Sequence, residues 1–366
     1  MARIDLGAVE RNCRLLSDRV GRDTELCAVV KANGYGHGAA ACAAAAIRGG
    51  ASALAVAAAA EAEELRLHFA EARILVMGAL TEAELRAALV ARAEIAVWRA
   101  GFGALCSRLA GELRDPARVH LKLDSGMGRL GERDPAKLIE LARTCEADPN
   151  LELAGVWTHF ATADEQGDDY LGAQLAAFAP AADAVREIAP GCIVHAANSA
   201  ATLREPASHF DMVRCGIAVY GLDPFHRDPA EHGLEPALEL HSYVADVKRF
   251  ERGASAGYGR RWRAPEDTWV GVLPIGYGDG VRRGLSNNAE VLVGGHRHPL
   301  VGTVSMDNIT IDLGPETDVE PGAPAVLIGA QGTDRIAAEE LAARLDTINY
   351  EITCGISSRV PREMSG

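Results

Sequence analysis

The stretch Cys27–Gly38, CAVVKANGYGHG, runs four small or apolar residues straight into a lysine and then into a glycine-bearing loop. An apolar run of that length ahead of a turn reads as a buried strand. The loop after the lysine decides between two architectures. A doubly wound sheet would place G-x-G-x-x-G there, and the G-Y-G-H-G after Lys31 has the wrong spacing.

Seven more runs of the same kind come after LCAVV (26–30): ALAV (53–56), RILVM (73–77), EIAVW (94–98), VHLKL (119–123), LAGVW (153–157), CIVHA (192–196) and DMVRC (211–215). Most are separated by segments rich in Ala, Leu, Glu and Arg with helical spacing, such as TEAELRAALVARA and AKLIELARTCEA. The last link, SAATLREPASH, holds little more than a turn or two of helix. Eight β-α units within roughly 210 residues predict a (β/α)8 barrel, with the doubly wound sheet as the alternative. The composition changes after Leu222. DPFHRDPAEHGLEP is a Pro- and charge-rich connection, and short Val-, Thr- and Gly-rich runs such as EVLVGGHRHPLVG and ITIDLG come after it. They predict a mostly β domain over 233–366 following a barrel over 1–232, with a short helix at AAEELAARL.

The chain has 366 residues, 48% hydrophobic and 24% charged, which is enough for two domains with substantial cores. Its net charge of −14, with no long basic stripe, argues against nucleic acid and anionic membranes as partners. The N-terminus MARIDLGAVERN does not read as a signal peptide. The alanine-rich run 39–60 is broken by Arg48, Gly49 and Gly50, so it reads as helix, turn and strand. A cytoplasmic location is expected. The eight cysteines contain no C-x-x-C pair and read as buried free thiols. His296 and His298, without Cys or carboxylate neighbours, read as a surface turn; no metal is expected.

In a barrel, chemistry gathers at the C-terminal ends of the strands. Lys31 follows the first run, Lys122, Asp124 and Arg129 the fifth, His159 the sixth, Asn198 and Ser199 the seventh, and Arg214 and Gly216 the eighth. A lysine there either snorkels to water or, with a lowered pKa, condenses with an aldehyde. Ser199 and the Gly216–Ile217 amides suit a phosphate dianion. Lysine plus phosphate cup fits pyridoxal phosphate, and a sugar-phosphate aldolase uses the same two parts.

The stretches IDLGAVERN, AVVKANGYGHG, LKLDSGMGRLG, THFATAD, HAANSAATL, VRCGIAVYG, AGYGRRW, PIGYGDGVRR, GTVSMDNITIDLG and TINYEITCGISSRVPR, in this order, resemble bacterial alanine racemases over essentially the full chain. The resemblance implies pyridoxal 5'-phosphate on Lys31, which also serves as one base. Tyr258 is then the second base, supplied by the partner subunit of a homodimer. Arg214 faces the pyridine nitrogen, and His159 orients Arg214 and the tyrosine. Arg129 reaches the cofactor phenolate and the substrate carboxylate. Tyr35, Ser199, Gly216, Ile217 and Tyr350 hold the phosphate, with Asn198 beside them. Met306 offers its backbone amide to the substrate, and Tyr277 walls the access channel. In some relatives the lysine at position 122 is carbamylated; the other reading is an amine paired with a local acid. Ser305 stands where several relatives carry cysteine. The implied activity is interconversion of L- and D-alanine, supplying D-alanine for peptidoglycan. Serine or broader racemases, a decarboxylase of the same architecture and a non-catalytic pyridoxal phosphate- or D-cycloserine-binding homologue are the alternatives.

Two opposed bases let a proton leave one face and return on the other without a shuttle. Lysine and tyrosine ionise near pH 10, so their surroundings must lower both. An arginine at a pyridine nitrogen cannot accept a proton, which keeps that nitrogen largely unprotonated and disfavours side reactions such as transamination.

Overall fold

A computed structural model describes residues 1–366. Eight parallel strands close into a barrel: Glu25–Val29, Ala51–Val56, Arg73–Val76, Glu94–Val97, Ala117–Lys122, Leu151–Trp157, Ile193–His195 and Met212–Cys215. Each overlaps one of the eight apolar runs. They are nearly continuous in Val, Ile, Leu and Ala because both faces are covered, one by the barrel interior and one by helices.

The helices carry their own start and stop signals. Thr81 and Glu84 form a reciprocal capping box, the Thr81 amide donating to the Glu84 carboxylate at 2.8 Å. Asp134 caps the helix Pro135–Glu146, whose first residue needs no amide hydrogen. The alanine-rich run resolves into helix Ala39–Arg48, a break at Gly49–Gly50 and the second barrel strand. No helix is long and apolar enough to cross a membrane.

The second half forms a ten-stranded sheet. Strand Ala2–Asp5 belongs to it rather than to the barrel, pairing antiparallel with Leu238–Tyr243 and parallel with Arg362–Ser365. The N-terminal strand therefore lies between the segment that follows the barrel and the C-terminal strand. The helix Ala338–Arg344 falls within AAEELAARL. His296 and His298 lie on the strand His296–Val301, not in a turn; the turn is made by Gly294 and Gly295, both at positive φ. Seven cysteines are buried and free, but Cys354 is exposed, because it ends a two-turn helix at the mouth of the barrel.

The two halves are tied at that mouth. Asn349 Nδ2 donates to Asp223 O at 2.8 Å, and the Arg362 guanidinium donates to Gly36 O at 3.1 Å and to Ile356 O at 2.8 Å.

Candidate active site

Lys31 lies two residues beyond the first barrel strand, and the chain then turns left-handed for four residues. Ala32, Asn33, Gly34 and Tyr35 have φ of 52°, 53°, 61° and 52°. Three of the four carry a Cβ, and each such residue costs about 1–2 kcal/mol in this conformation. Partners from elsewhere hold it. Glu61 Oε1 accepts the Ala32 amide at 2.6 Å, and Asn33 Oδ1 accepts the Ala39 amide at 3.0 Å. The turn carries Tyr35 into the barrel mouth, where its ring lies 5.2 Å from Tyr220 and 5.9 Å from Tyr350.

Lys31 and Tyr35 line a cavity of ≈ 490 Å³ together with Lys122, Arg129, His159, Asn198, Ser199, Arg214, Gly216, Ile217 and Tyr350. That volume suits a small cofactor plus a small substrate. Strand-end position alone placed these residues on the rim, except Tyr35 and Tyr350, which the resemblance supplied. Tyr350 lies on the helix Asn349–Cys354, not on a strand.

One side of the cavity is built for an anion. Asn198 caps the helix Ser199–Arg204, its Oδ1 accepting the Ala201 amide at 3.0 Å. Ser199 Oγ accepts the Gly216 amide at 3.0 Å and the Ala218 amide at 3.3 Å, which leaves its hydroxyl hydrogen free to donate. Gly216 is the close approach: a Cβ there would lie 2.3 Å from Tyr35 Oη.

Another part of the lining is cationic. Arg214 is buried, and its Nη2 donates to Thr158 O at 2.8 Å, Ala196 O at 3.0 Å and His159 Nδ1 at 3.3 Å. Nη1 donates to His195 Nδ1 at 2.8 Å. Arginine has no acceptor, so both imidazoles must offer it a lone pair. Burial, then Arg214 and Arg129, hold the His159 pKa well below the ordinary histidine range. Burial also brings Arg214 down to about 10. Lys31 is lowered by burial and then by Arg129, with Glu61 acting the other way.

Lys122 Nζ sits 4.2 Å from the centroid of the Trp157 ring, and Arg214 Cζ sits 4.7 Å from it. Burial, Arg214 and Arg129 bring Lys122 down to about 7. The nearby acid Asp124 is occupied otherwise, accepting the Gly126 amide at 3.2 Å and the Gly128 amide at 2.9 Å. It thereby shapes the loop that carries Arg129.

Tyr258, Tyr277 and Met306 are not in this cavity. They are exposed on the second half, and their loops are joined to one another. Thr303 Oγ1 donates to Tyr258 O at 2.8 Å, and the Tyr277 amide donates to Ser305 O at 3.0 Å. Within one chain the site has its lysine but not the tyrosine.

The residues present fit pyridoxal phosphate. The Ser199 hydroxyl hydrogen is free to donate, a Cβ at Gly216 would press on Tyr35, and the buried Arg214 guanidinium and Lys31, of lowered pKa, line the same cavity. Sequence reading missed His195, Trp157, His120 and Glu94. The only signal for His120 was its place in VHLKL, two residues before Lys122 and so on the same strand face.

Comparison with known proteins bears on this arrangement. Residues 4–224 match the family model for the alanine racemase N-terminal domain, and residues 237–364 match that for the C-terminal domain. The chain is 44% identical to an alanine racemase of Symbiobacterium thermophilum, covering 100% of this chain and 97% of that protein. It is 41% identical to one of Geobacillus stearothermophilus, covering 99% and 92%. The crystal structure of alanine racemase from D-cycloserine-producing Streptomyces lavendulae superposes with a TM-score of 0.94 at 37% identity, covering 100% of this chain and 96% of that one. The enzyme from E. faecalis gives 0.93 at 38%, covering 100% and 97%.

Proposed function

This chain belongs to the alanine racemase family, and on that premise we propose that it interconverts L- and D-alanine with Lys31 and Tyr258 as two opposed bases. The observation that carries the proposal is the joint presence of Lys31, Arg214 and the Ser199–Gly216 cradle around one cavity. Pyridoxal phosphate, when bound, supplies an electron sink for the pair left behind when an amino acid loses its α-proton.

The chain's own residues do the rest. Tyr35, Ser199, Gly216, Ile217 and Tyr350 would hold the phosphate, with Asn198 fixing the helix that presents Ser199. Arg214 would donate to the pyridine nitrogen without giving up a proton. His159 braces Arg214 through Nδ1. Arg129 binds the substrate carboxylate and the phenolate oxygen. Lys31 Nζ takes or returns the α-proton on one face and Tyr258 Oη does so on the other. Burial, and after it the Arg129 charge, lower the Lys31 amine toward the range a base needs.

Tyr258 is exposed on the second half, so the reading needs a second copy that supplies it, with Met306 and Tyr277 alongside. The active unit is then a homodimer with two composite sites. Residues 1–232 would carry the cofactor and residues 233–366 would complete the neighbour's site. The product D-alanine would serve peptidoglycan synthesis in the cytoplasm.

The test is chiral chromatography of a panel of L-amino acids incubated with the protein and pyridoxal phosphate. D-Alanine should appear far ahead of D-serine and D-lysine. Another D-isomer in the lead would overturn the substrate; no D-isomer from a cofactor-loaded protein would overturn the reaction.

A further inference from the structure

A chain of buried polar groups leaves the site and runs down the barrel interior. Arg214 Nη1 meets His195 Nδ1 at 2.8 Å, His195 Nε2 meets His120 Nδ1 at 2.9 Å, and His120 Nε2 meets Glu94 Oε2 at 2.8 Å. His120 and His195 are fully buried and Glu94 is nearly so. Glu94 starts the fourth barrel strand, at the end of the barrel opposite the cavity. There its Oε1 accepts from Arg118 Nε at 2.9 Å and Arg73 Nε at 3.3 Å. Arg73 continues to Glu25 at 2.6 Å, and Arg118 to Glu152.

The two ends of the chain fix every proton within it. A guanidinium only donates, so His195 must present a lone pair at Nδ1 and carry its hydrogen on Nε2. That hydrogen is donated to His120 Nδ1, which is therefore a lone pair too. His120 then carries its hydrogen on Nε2 and donates it to the Glu94 carboxylate, which only accepts. A protonated His120 would present N–H to His195 Nε2, leaving His195 without a proton on either nitrogen, which a neutral imidazole does not allow. One assignment is consistent: both rings neutral, both with hydrogen on Nε2.

The surrounding fold accommodates the chain. Gly155 neighbours His120 across the sheet, and a Cβ there would lie 2.1 Å from His120 Nδ1. Trp157 stacks on His195, with ring planes 5° apart and centroids 5.7 Å apart. Arg214 makes no ion pair; the carboxylate connected to it is Glu94, three hydrogen bonds away.

We propose that Glu94, His120 and His195 are positioning residues for Arg214: they hold the tautomer that presents a lone pair to its Nη1 and provide the negative charge absent beside it. The proposal rests on the reading of Arg214 as the partner of the cofactor ring nitrogen. Loss of the chain frees His195 to turn N–H toward Arg214, and the guanidinium then leaves its place.

The decisive comparison uses the cofactor-loaded protein and two substitutions at one position. His120→Gln can still accept from His195 and donate to Glu94; His120→Phe fills the space and can do neither. Nitrogen-15 NMR of histidine-labelled protein should show His195 and His120 as neutral, with hydrogen on Nε2. His120→Gln should keep the His195 signature and a kcat within about threefold. His120→Phe should change that signature, shift the visible absorption of the bound cofactor and lower kcat about 10–100-fold with little change in KM. Should His120→Phe not fold, Glu94→Gln serves: it removes the charge and leaves one acceptor oxygen for His120 and the two arginines, and the absorption should shift. A wild-type His195 that is protonated, or carries hydrogen on Nδ1, overturns the proposal. So does wild-type absorption in both His120→Phe and Glu94→Gln. If the wild type forms no D-alanine, the racemase reading fails by itself, and the tautomers and absorption still decide the chain.

Discussion

The Cβ that Gly216 lacks would lie 2.3 Å from the Tyr35 hydroxyl oxygen. Two residues far apart in sequence thus define one wall of the anion cradle by contact. Gly216→Ala must displace Tyr35, and Tyr35 is held on a left-handed turn with little freedom to yield. Affinity for pyridoxal phosphate should fall about tenfold or more, by analogy with the loss of one or two charged hydrogen bonds. Titration of the stripped protein followed by visible absorbance measures it; an unchanged affinity would remove Tyr35 from the cradle.

Lys122 gives a pH dependence of defined sign. Its pKa is about 7 when folded, against 10.5 for the free side chain. Between those values the unfolded chain binds the extra proton, so stability should rise with pH, by at most about 1.4 kcal/mol per unit from this group. Lys122→Met should flatten that rise. Urea unfolding of both proteins at pH 7, 8 and 9 in CO2-free buffer makes the comparison. Parallel curves would mean that position 122 carries no titrating amine, as a carbamate there would require.

Arg214→Glu replaces an obligate donor by a group that can hold a proton on a pyridine nitrogen. The ratio of transamination to racemisation should increase, read as keto acid formed per D-alanine formed. A ratio equal to that of the wild type would sink the idea that arginine limits electron withdrawal.

Composite sites predict complementation. Lys31→Ala and Tyr258→Phe should each be inactive alone. Mixed and allowed to exchange subunits, half the dimers become hybrid, and each hybrid has one intact site. Activity should then recover to about a quarter of wild type. No recovery despite exchange, or an active monomer by sedimentation under assay conditions, would contradict a tyrosine supplied by the neighbour.

The barrel was legible because its eight strands are short apolar runs separated by helical spacing, and that pattern depends on local burial alone. The rim residues were legible because strand ends are where polar side chains must emerge. The inner chain was not. Glu94, His120 and His195 each occur singly within an apolar run, and their partners lie 26 and 75 residues away. Ala2–Asp5 was hidden for a similar reason: four residues declare no sheet, and their neighbours lie beyond residue 237. Tyr350 lies in TINYEI, whose β-type composition gives no local sign of the helix Asn349–Cys354 that carries it.

The left-handed turn after Lys31 also bears on the order in which the protein is built. Right-handed geometry is the default for residues 32–35 in isolation, so the turn cannot nucleate the fold. Its restraints arrive from Glu61, 29 residues beyond Ala32, and from Arg362, near the end of the chain. A Cβ at Gly36 would lie 2.2 Å from Thr353 O, so the C-terminal segment closes directly over the turn. A nascent chain can therefore close its barrel before Tyr35 has a settled place. The anion cradle therefore matures late, only when residues 353–362 dock on the turn.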